Sequence, residues 1–408
     1  MISTVLLIGT FDTKGEEYGF VHSLIRQRGL GVLTMDLGVL GDTVPPFTVD
    51  IPADRVARAG GGSLERLRGR KDRGEAIEVM QAGARALVRE LYAAGRFGGV
   101  LGLGGGGGTS MISAAMRELP VGVPKLLVST MASGQTAPYV DVKDLTLMYS
   151  VVDIAGLNPV SRRILANAAG AISGMVAPGP SPPPAADRER PVIAASMFGV
   201  TTPCVTAARR RLEAAGYDVL VFHATGAGGR AMEGLIADGY VAGVLDITTT
   251  EWCDEVVGGV LTAGPDRLGA AGRAGVPQVV SVGALDMVNF GPAETVPAEF
   301  RGRTLYRHNP TVTLMRTTAE ECREIGRRIG EQLARARGPV MLLLPLRGVS
   351  MLDAPGQPFH DAGADRELFD SVRRHAGPRV VVRELDSHIN DEEFAAAAAD
   401  ELLNLLRS

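Results

Sequence analysis

The segment Gly99-Val-Leu-Gly-Leu-Gly-Gly-Gly-Gly-Gly-Thr-Ser110 sets how the rest of the chain is read. Val100–Leu103 is an apolar run of the kind that forms a buried parallel strand, and the residues from Thr109 to Glu118 carry a helical pattern. Between them stand Gly104, Gly105, Gly106, Gly107 and Gly108, followed by Thr109 and Ser110. Glycine gives up more conformational freedom on folding than other residues, and a turn needs only one or two. Five in a row between strand and helix therefore predict a place where main-chain N–H groups surround an anion at close range, as proteins do to hold phosphate. The competing reading is a connector with a purely structural role.

The motif matches no standard nucleotide signature. A Walker-type loop places a Lys ahead of its hydroxyl residue, and here Gly108 precedes Thr109. Gly102–Gly107 satisfies the dinucleotide pattern GxGxxG, as any glycine run does, but no acidic residue closes a second strand about 20 residues further on to take a ribose. Neither a Gly-x-Ser-x-Gly elbow nor an HExxH pair is present.

The same grammar recurs on both sides of this segment. Val5–Ile8 and Val32–Leu37 read as strands joined by a helical stretch with Tyr18, Val21, Leu24 and Ile25 on one face, the βαβ unit of a parallel sheet. A helical pattern from Gly74 to Ala94 leads into the glycines, and Lys125–Ser129 and Leu145–Val152 follow as strands. Residues 177–191, APGPSPPPAADRERP, interrupt the pattern, because proline fixes φ and removes a backbone donor. Strands then return over Val192–Ala195, Tyr217–Phe222, Val241–Ile247, Gln278–Val282, Val312–Met315, Val340–Leu344 and Val380–Val382, with helices over Cys204–Ala215, Thr318–Ala334 and Asp391–Leu406. The expected fold class is α/β: two Rossmann-like doubly wound domains with mainly parallel sheets and a cleft between them. Residues 1–178 are the expected nucleotide-binding domain, 179–190 a Pro-rich linker, and 191–408 a domain for substrate or partner.

The 408 residues are 45% hydrophobic and 22% charged, with 52 Gly, 24 Pro and a net charge of −4. That is the profile of a globular α/β chain too long for one core. The negative balance argues against a broad nucleic-acid interface, and the one basic run, Arg66-Leu-Arg-Gly-Arg-Lys-Asp-Arg73, reads as a solvated face or as a screen for a nucleotide. Cys204, Cys253 and Cys322 lie far apart and offer neither a disulfide framework nor a zinc spacing. The run Met1–Ile8 is too short for a secretory signal, and no stretch of about 18 apolar residues occurs. A soluble cytoplasmic protein without a membrane partner is expected.

Three further post-strand loops carry chemistry. In Gly9-Thr-Phe-Asp-Thr-Lys-Gly15, Thr10 and Thr13 can cap a helix and donate to phosphate, Asp12 can hold a Mg2+, and Lys14 can neutralise phosphate charge. The bland alternative is an N-cap with an acidic first turn. Ser133-Gly-Gln-Thr136 offers hydroxyls, an amide and a glycine, or else a self-satisfied polar turn. In Asp246-Ile-Thr-Thr-Thr-Glu251-Trp-Cys-Asp254 three threonines form a possible anion-binding cap, and Glu251 and Asp254 share a helical face suited to a metal or to acid–base work. His308, expected in a loop ahead of Asn309-Pro310, is a candidate proton carrier or metal ligand, and Arg347 a candidate partner for carboxylate or phosphate.

Taken together, GTFDTKGEE at 9–17, GLGGGGGTS at 102–110, the string from Ser129 to Asn158, DITTTEWCDEVVGGVLTAGPDRL at 246–268, GALDMVNFG at 283–291, HNPTVTLMRTT at 308–318 and LPLRGVS at 344–350 resemble the ATP-binding region of the Tm-type tobamovirus-resistance proteins and its bacterial relatives, an uncharacterised protein family. The resemblance implies ATP bound with Mg2+ in the first domain, two α/β lobes, and homodimers. It places nucleotide binding on Thr10, Asp12, Lys14, the five glycines, Thr109 and Ser133-Gly134-Gln135-Thr136, to which the chemistry of the residues adds Thr13 and Ser110. Relatives often carry a serine within the glycine run; here only backbone is left. The expected function is that of an ATP-binding protein acting on a small carboxylate- or phosphate-bearing metabolite by hydrolysis, phosphoryl transfer or ligation, with Asp246, Glu251, His308 and Arg347 as candidate catalytic residues. The alternative is a nucleotide-dependent regulatory module without turnover.

Overall fold

The computed structural model describes residues 3–41, 44–177 and 190–407, so the expected linker falls, but for Arg190, outside the described residues. The chain divides into two compact units, one on each side of that segment.

The first unit runs β1 (Thr4–Gly9), α1 (Phe11–Gln27), β2 (Gly31–Asp36), α2 (Ala53–Ala59), α3 (Leu64–Arg70), α4 (Arg73–Ala93), β3 (Gly99–Gly104), α5 (Gly106–Met116), β4 (Lys125–Ser129), α6 (Ala137–Val140), β5 (Thr146–Tyr149) and α7 (Pro159–Val176). Its five strands are parallel and ordered β2-β1-β3-β4-β5. Period-two alternation explains the unbroken apolar strands. Leu6 and Ile8 of β1 enter a core with Val56, Met80 and Ile112, whereas Val5 and Leu7 enter another with Tyr18, Val21 and Ile172. Both faces are covered, and each fully buried Leu or Ile stabilises the fold by about 1.5–3 kcal/mol relative to exposure.

Two expectations change here. Helix α5 begins at Gly106, ahead of Thr109, so most of the glycine run is the first turn of a helix and not a loop. Helix α7, closed at its start by an Asn158–Ser161 capping box, was not expected, because its sequence ANAAGAISG is too poor in large apolar residues to show a clear stripe.

The second unit runs β6 (Val192–Met197), α8 (Thr202–Ala214), β7 (Asp218–His223), α9 (Ala227–Ala237), β8 (Gly243–Thr248), α10 (Glu251–Val257), α11 (Ala270–Ala274), β9 (Gln278–Gly283), β10 (Met287–Phe290), β11 (Leu305–Asn309), β12 (Val312–Arg316), α12 (Ala319–Ala334), β13 (Val340–Pro345), α13 (Ala362–His375), β14 (Val380–Leu385) and α14 (Glu392–Arg407). Six parallel strands are ordered β14-β13-β9-β8-β6-β7, again with separate cores on the two faces. Both units are thus doubly wound and Rossmann-like. The sequence did not announce the small antiparallel sheet β10-β12-β11. His308 belongs to its edge strand β11, which corrects the expectation of a loop.

Candidate functional site

Gly105–Gly108 open α5 under unusual terms. None of the five glycines adopts a positive φ, so the backbone could accept other residues. A Cβ on Gly104 would lie 2.6 Å from the Thr109 nitrogen, which explains that glycine by packing. On Gly106 it would meet nothing within 4 Å, on Gly105 and Gly108 its nearest neighbour would be 3.9 Å away, and on Gly107 it would rest 3.4 Å from Ile77 Cδ1. Neither conformation nor packing calls for glycine at these positions, although Gly106, Gly107 and Gly108 each cost about 0.5–1 kcal/mol against Ala within a helix. What they leave is clearance. Gly105 as N-cap supplies no side-chain hydrogen bond, so the first N–H groups of α5 point out uncapped.

These amides face a cavity of about 730 Å3 lined by the β1 loop (Thr10, Asp12, Thr13, Lys14), by Gly105–Gly108, by the segment Leu37–Gly41 and by α3 and the start of α4. The strand order fixes its place. From β1 the chain passes to β2 on one side and only later to β3 on the other, and the crevice where the direction reverses is where ligands sit in such sheets. Tyr18 wedges the strands at that point: its hydroxyl donates to the Ile8 carbonyl at 2.6 Å and accepts from the Leu103 N–H at 2.7 Å. Burial pushes its phenol far above the usual range, so it stays a neutral strut.

Asp12 and Lys14 stand on the wall in definite poses. Asp12 Oδ2 accepts from the N–H groups of Leu40 (2.7 Å) and Gly41 (3.3 Å), while its Oδ1 is buried without a partner. Lys14 breaks the helical geometry of α1 with φ −132° and donates from Nζ to the Ile154 carbonyl at 2.5 Å. Thr10 and Thr13 share a hydroxyl–hydroxyl bond of 2.9 Å. Asp36, at the end of β2, accepts from the N–H of Phe11 and of Gly38, and burial raises its carboxyl above the usual range.

The basic run divides in two. Arg66 and Arg70 pair with Glu75, whereas Arg68, Lys71 and Arg73 line the cavity with the apolar side chains of Leu67, Ile77, Met80 and Met111. Arg73 Nη2 would be 3.6 Å from a Cβ on Gly107, so a guanidinium lies directly over the glycine turn. Sequence reasoning had these cations only as a possible screen.

Other expected residues lie elsewhere. Thr109 is fully buried, its hydroxyl bonded to Ser129 Oγ at 2.6 Å and to the Gly104 carbonyl, and it fastens α5 to the strand ends. Ser110 turns to Gln81 on α4. Ser133, Gly134, Gln135 and Thr136 follow β4 and contribute nothing to the wall.

In the second unit Asp246 and Glu251 are each 1% exposed and clamp a buried arginine. Arg267 donates to both Asp246 oxygens (2.5 and 2.7 Å) and to Glu251 Oε2 (2.5 Å), while Glu251 Oε1 caps the Gly226 and Gly229 N–H groups of α9. The expected anion cap at Thr248, Thr249 and Thr250 is corrected: all three are fully buried, bonded to Thr201, to the Ser281 carbonyl and to the Met287 carbonyl. Asp254 turns to Asn289 and Leu261, away from the Glu251–Arg267 clamp. His308 is exposed on β11, and Arg347 pairs with exposed Asp386 at 2.7 Å. Among the described residues no group of three or more His, Cys, Asp or Glu could hold a metal, and no helix is long and apolar enough to cross a membrane.

Comparison with known proteins follows the two-unit division. Residues 3–179 match the N-terminal domain, and residues 190–406 the C-terminal domain, of the uncharacterised protein family UPF0261. A UPF0261 protein of Clostridium tetani is 53% identical over 407 residues, covering 100% of both chains. Another, of Rhizobium meliloti, is 51% identical over 396 residues and covers 97% of each. The ToMV resistance protein Tm-1(GCR237) of Solanum lycopersicum is 42% identical over 424 residues, which span 98% of this chain and 55% of the tomato protein.

Proposed function

The chain belongs to the UPF0261 family, and on that footing we propose that its first unit binds a nucleoside polyphosphate with Mg2+, the nucleotide being ATP. The observation that supports this most is the uncapped first turn of α5, built of glycines that neither backbone nor packing requires, opening on a cavity with cationic and apolar walls. The amides of Gly106, Gly107 and Gly108 would receive phosphate oxygens, with Arg73, Lys71 and Lys14 neutralising their charge. Leu67, Ile77, Met80 and Met111 offer an apolar slot for a base. Mg2+ takes only one or two carboxylates from a protein and the rest of its ligands from phosphate and water, so the Asp12 carboxylate on the cavity wall would suffice as its anchor. The bound ion would supply charge neutralisation at the phosphates.

On this reading the protein is an enzyme that spends ATP on a small carboxylate- or phosphate-bearing metabolite, and it works as a homodimer. A regulatory module without turnover is the second reading, favoured by one observation: Asp246 and Glu251 are locked on Arg267, which leaves them no freedom for acid–base work. Mass spectrometry of small molecules released from gently purified protein, followed by phosphate release with added ATP, decides. An adenine nucleotide with steady phosphate production supports the enzyme; nucleotide bound but unconsumed supports the module. A protein that neither carries nor binds any nucleotide overturns both.

A further inference from the structure

The segment Leu37–Gly41, between β2 and the rest of the first unit, forms one wall of the cavity and is held by two side chains of that same cavity. Asp12 Oδ2 accepts from the N–H groups of Leu40 and Gly41. Arg68 donates to the carbonyl of Val39 at 3.3 Å and to that of Gly41 at 2.9 Å. The remaining Asp12 oxygen, Oδ1, is buried and unpartnered, and the reason is Gly38: a Cβ there would stand 2.4 Å from Asp12 Cγ and 2.5 Å from Oδ1. One carboxylate oxygen is therefore occupied by the segment and the other covered by it. At the base of the segment Leu37 is fully buried in the core and Val39 packs against it, whereas Leu40 at the tip is 82% exposed, so only the tip is free of apolar burial.

A cation cannot reach a carboxylate oxygen that lies under a backbone. We propose that Gly38–Gly41, anchored at its base by the buried Leu37, is a latch that the metal–nucleotide complex opens: the cation takes Asp12 from the Leu40 and Gly41 amides, the phosphates take Arg68 from the Val39 and Gly41 carbonyls, and the tip is released from the cavity wall. This rests on the nucleotide reading above and adds to it that binding is coupled to movement of one segment. The charge-assisted bonds given up are offset because Asp12 gains the cation, Arg68 gains the phosphates and the freed backbone groups turn to water. It also makes the cation obligatory for opening. A nucleotide alone supplies no reason for Asp12 to leave its amides.

Gly38→Ala tests the latch while leaving Asp12 and Arg68 unsubstituted. Gly38 has no positive φ, so Ala fits the backbone, but its methyl cannot coexist with the Asp12 carboxylate in the latched pose. Hydrogen–deuterium exchange of the peptide spanning Leu37–Gly41 and calorimetric titration with a slowly hydrolysed ATP analogue are measured with Mg2+ and with EDTA. In the parent, saturating analogue with Mg2+ accelerates exchange of that peptide about five- to tenfold, and analogue with EDTA does not. In Gly38→Ala exchange is already fast without ligand, and the Mg2+ complex binds about five- to tenfold more tightly because no latch need be broken. Binding in the parent with no change in exchange, or a variant identical to the parent in both measurements, overturns the latch and leaves the nucleotide reading standing. Failure of the analogue to bind at all overturns both.

Discussion

Nothing in the folded chain holds Gly106 to glycine, and the same logic sorts its neighbours. Gly104 is fixed by Thr109 and Gly102 by Ile112, each close enough to forbid a Cβ; Gly105–Gly108 are not. A glycine homopolymer announces that something unusual is near, but only coordinates separate the glycines that pack from those that clear space. That Asp12 and Lys14 line the cavity was legible, because the turn after a first strand opens on the crevice of such sheets. Arg68, Lys71 and Arg73 were not, since a run of cations looks the same whether it faces solvent or a cavity until α3 and α4 set its direction. Lys14→Met is expected to weaken ATP about ten- to a hundredfold, the value of a charge-assisted contact, and to leave adenosine unaffected. Parallel calorimetric titrations check this, and equal losses for both ligands would remove Lys14 from the phosphates.

At the scale of elements, the parallel strands were readable because burial on both faces gives continuous apolar runs. Helix α7 was missed for want of large apolar residues, and α13 was missed although Leu368, Phe369 and Val372 anchor it to the core. The β10-β12-β11 sheet was hidden because β11 is exposed along its whole length and so shows no apolar alternation. The loop after β8 misled for a different reason. Adjacent Thr, Glu and Asp look alike in sequence whether they wait for a ligand or satisfy a buried arginine, and Arg267 lies sixteen residues beyond Glu251. Removing one carboxylate leaves Arg267 buried and underpaired, so Asp246→Asn is expected to cost about 3–5 kcal/mol of stability. Denaturant unfolding of the variant checks it; a loss below about 1 kcal/mol, the range of exposed pairs, would show that the clamp is not what holds α9, α10 and β8 together.

Across the molecule, charge buried in the second unit sets a pH dependence. Burial pushes the Asp254 carboxyl from its ordinary 3.8 to about 7. Burial, reinforced by Asp353 and opposed by Arg316, also raises Asp286 and Asp365 well above the carboxylate range. Cys322 and His360 complete the groups around Asp353 and Arg316. A carboxyl with a raised folded pKa keeps its proton in the native state after the unfolded chain has lost it, so its stabilising contribution is whole below pH about 4 and drains away as pH climbs towards 7–8. Surface acids of the opposite kind, such as Glu324 held near 2 by Arg327, matter only below about pH 4.5. The melting temperature is therefore expected to fall steadily from pH 5 to pH 8, as scanning calorimetry across that window would show; a rise would mean these carboxyls are ionised in the native protein.

Whole-chain topology was the most legible level. Strand–helix alternation on both sides of a proline-rich segment gave two doubly wound units, and strand order then placed the glycine turn and the Asp12 loop at one reversal point. What the alternation could not give was the path of Leu37–Gly41 across that point, since a segment without regular structure leaves no periodic trace.

Whether the glycine turn of α5 receives phosphate is measured most directly by calorimetric titration of a Mg2+–ATP analogue into the parent protein and into Gly106→Val. Saturable binding by the parent, lost in a variant whose melting temperature is not lowered because a Cβ at Gly106 meets nothing within 4 Å, is the predicted result. Equal affinity in the two proteins would contradict it.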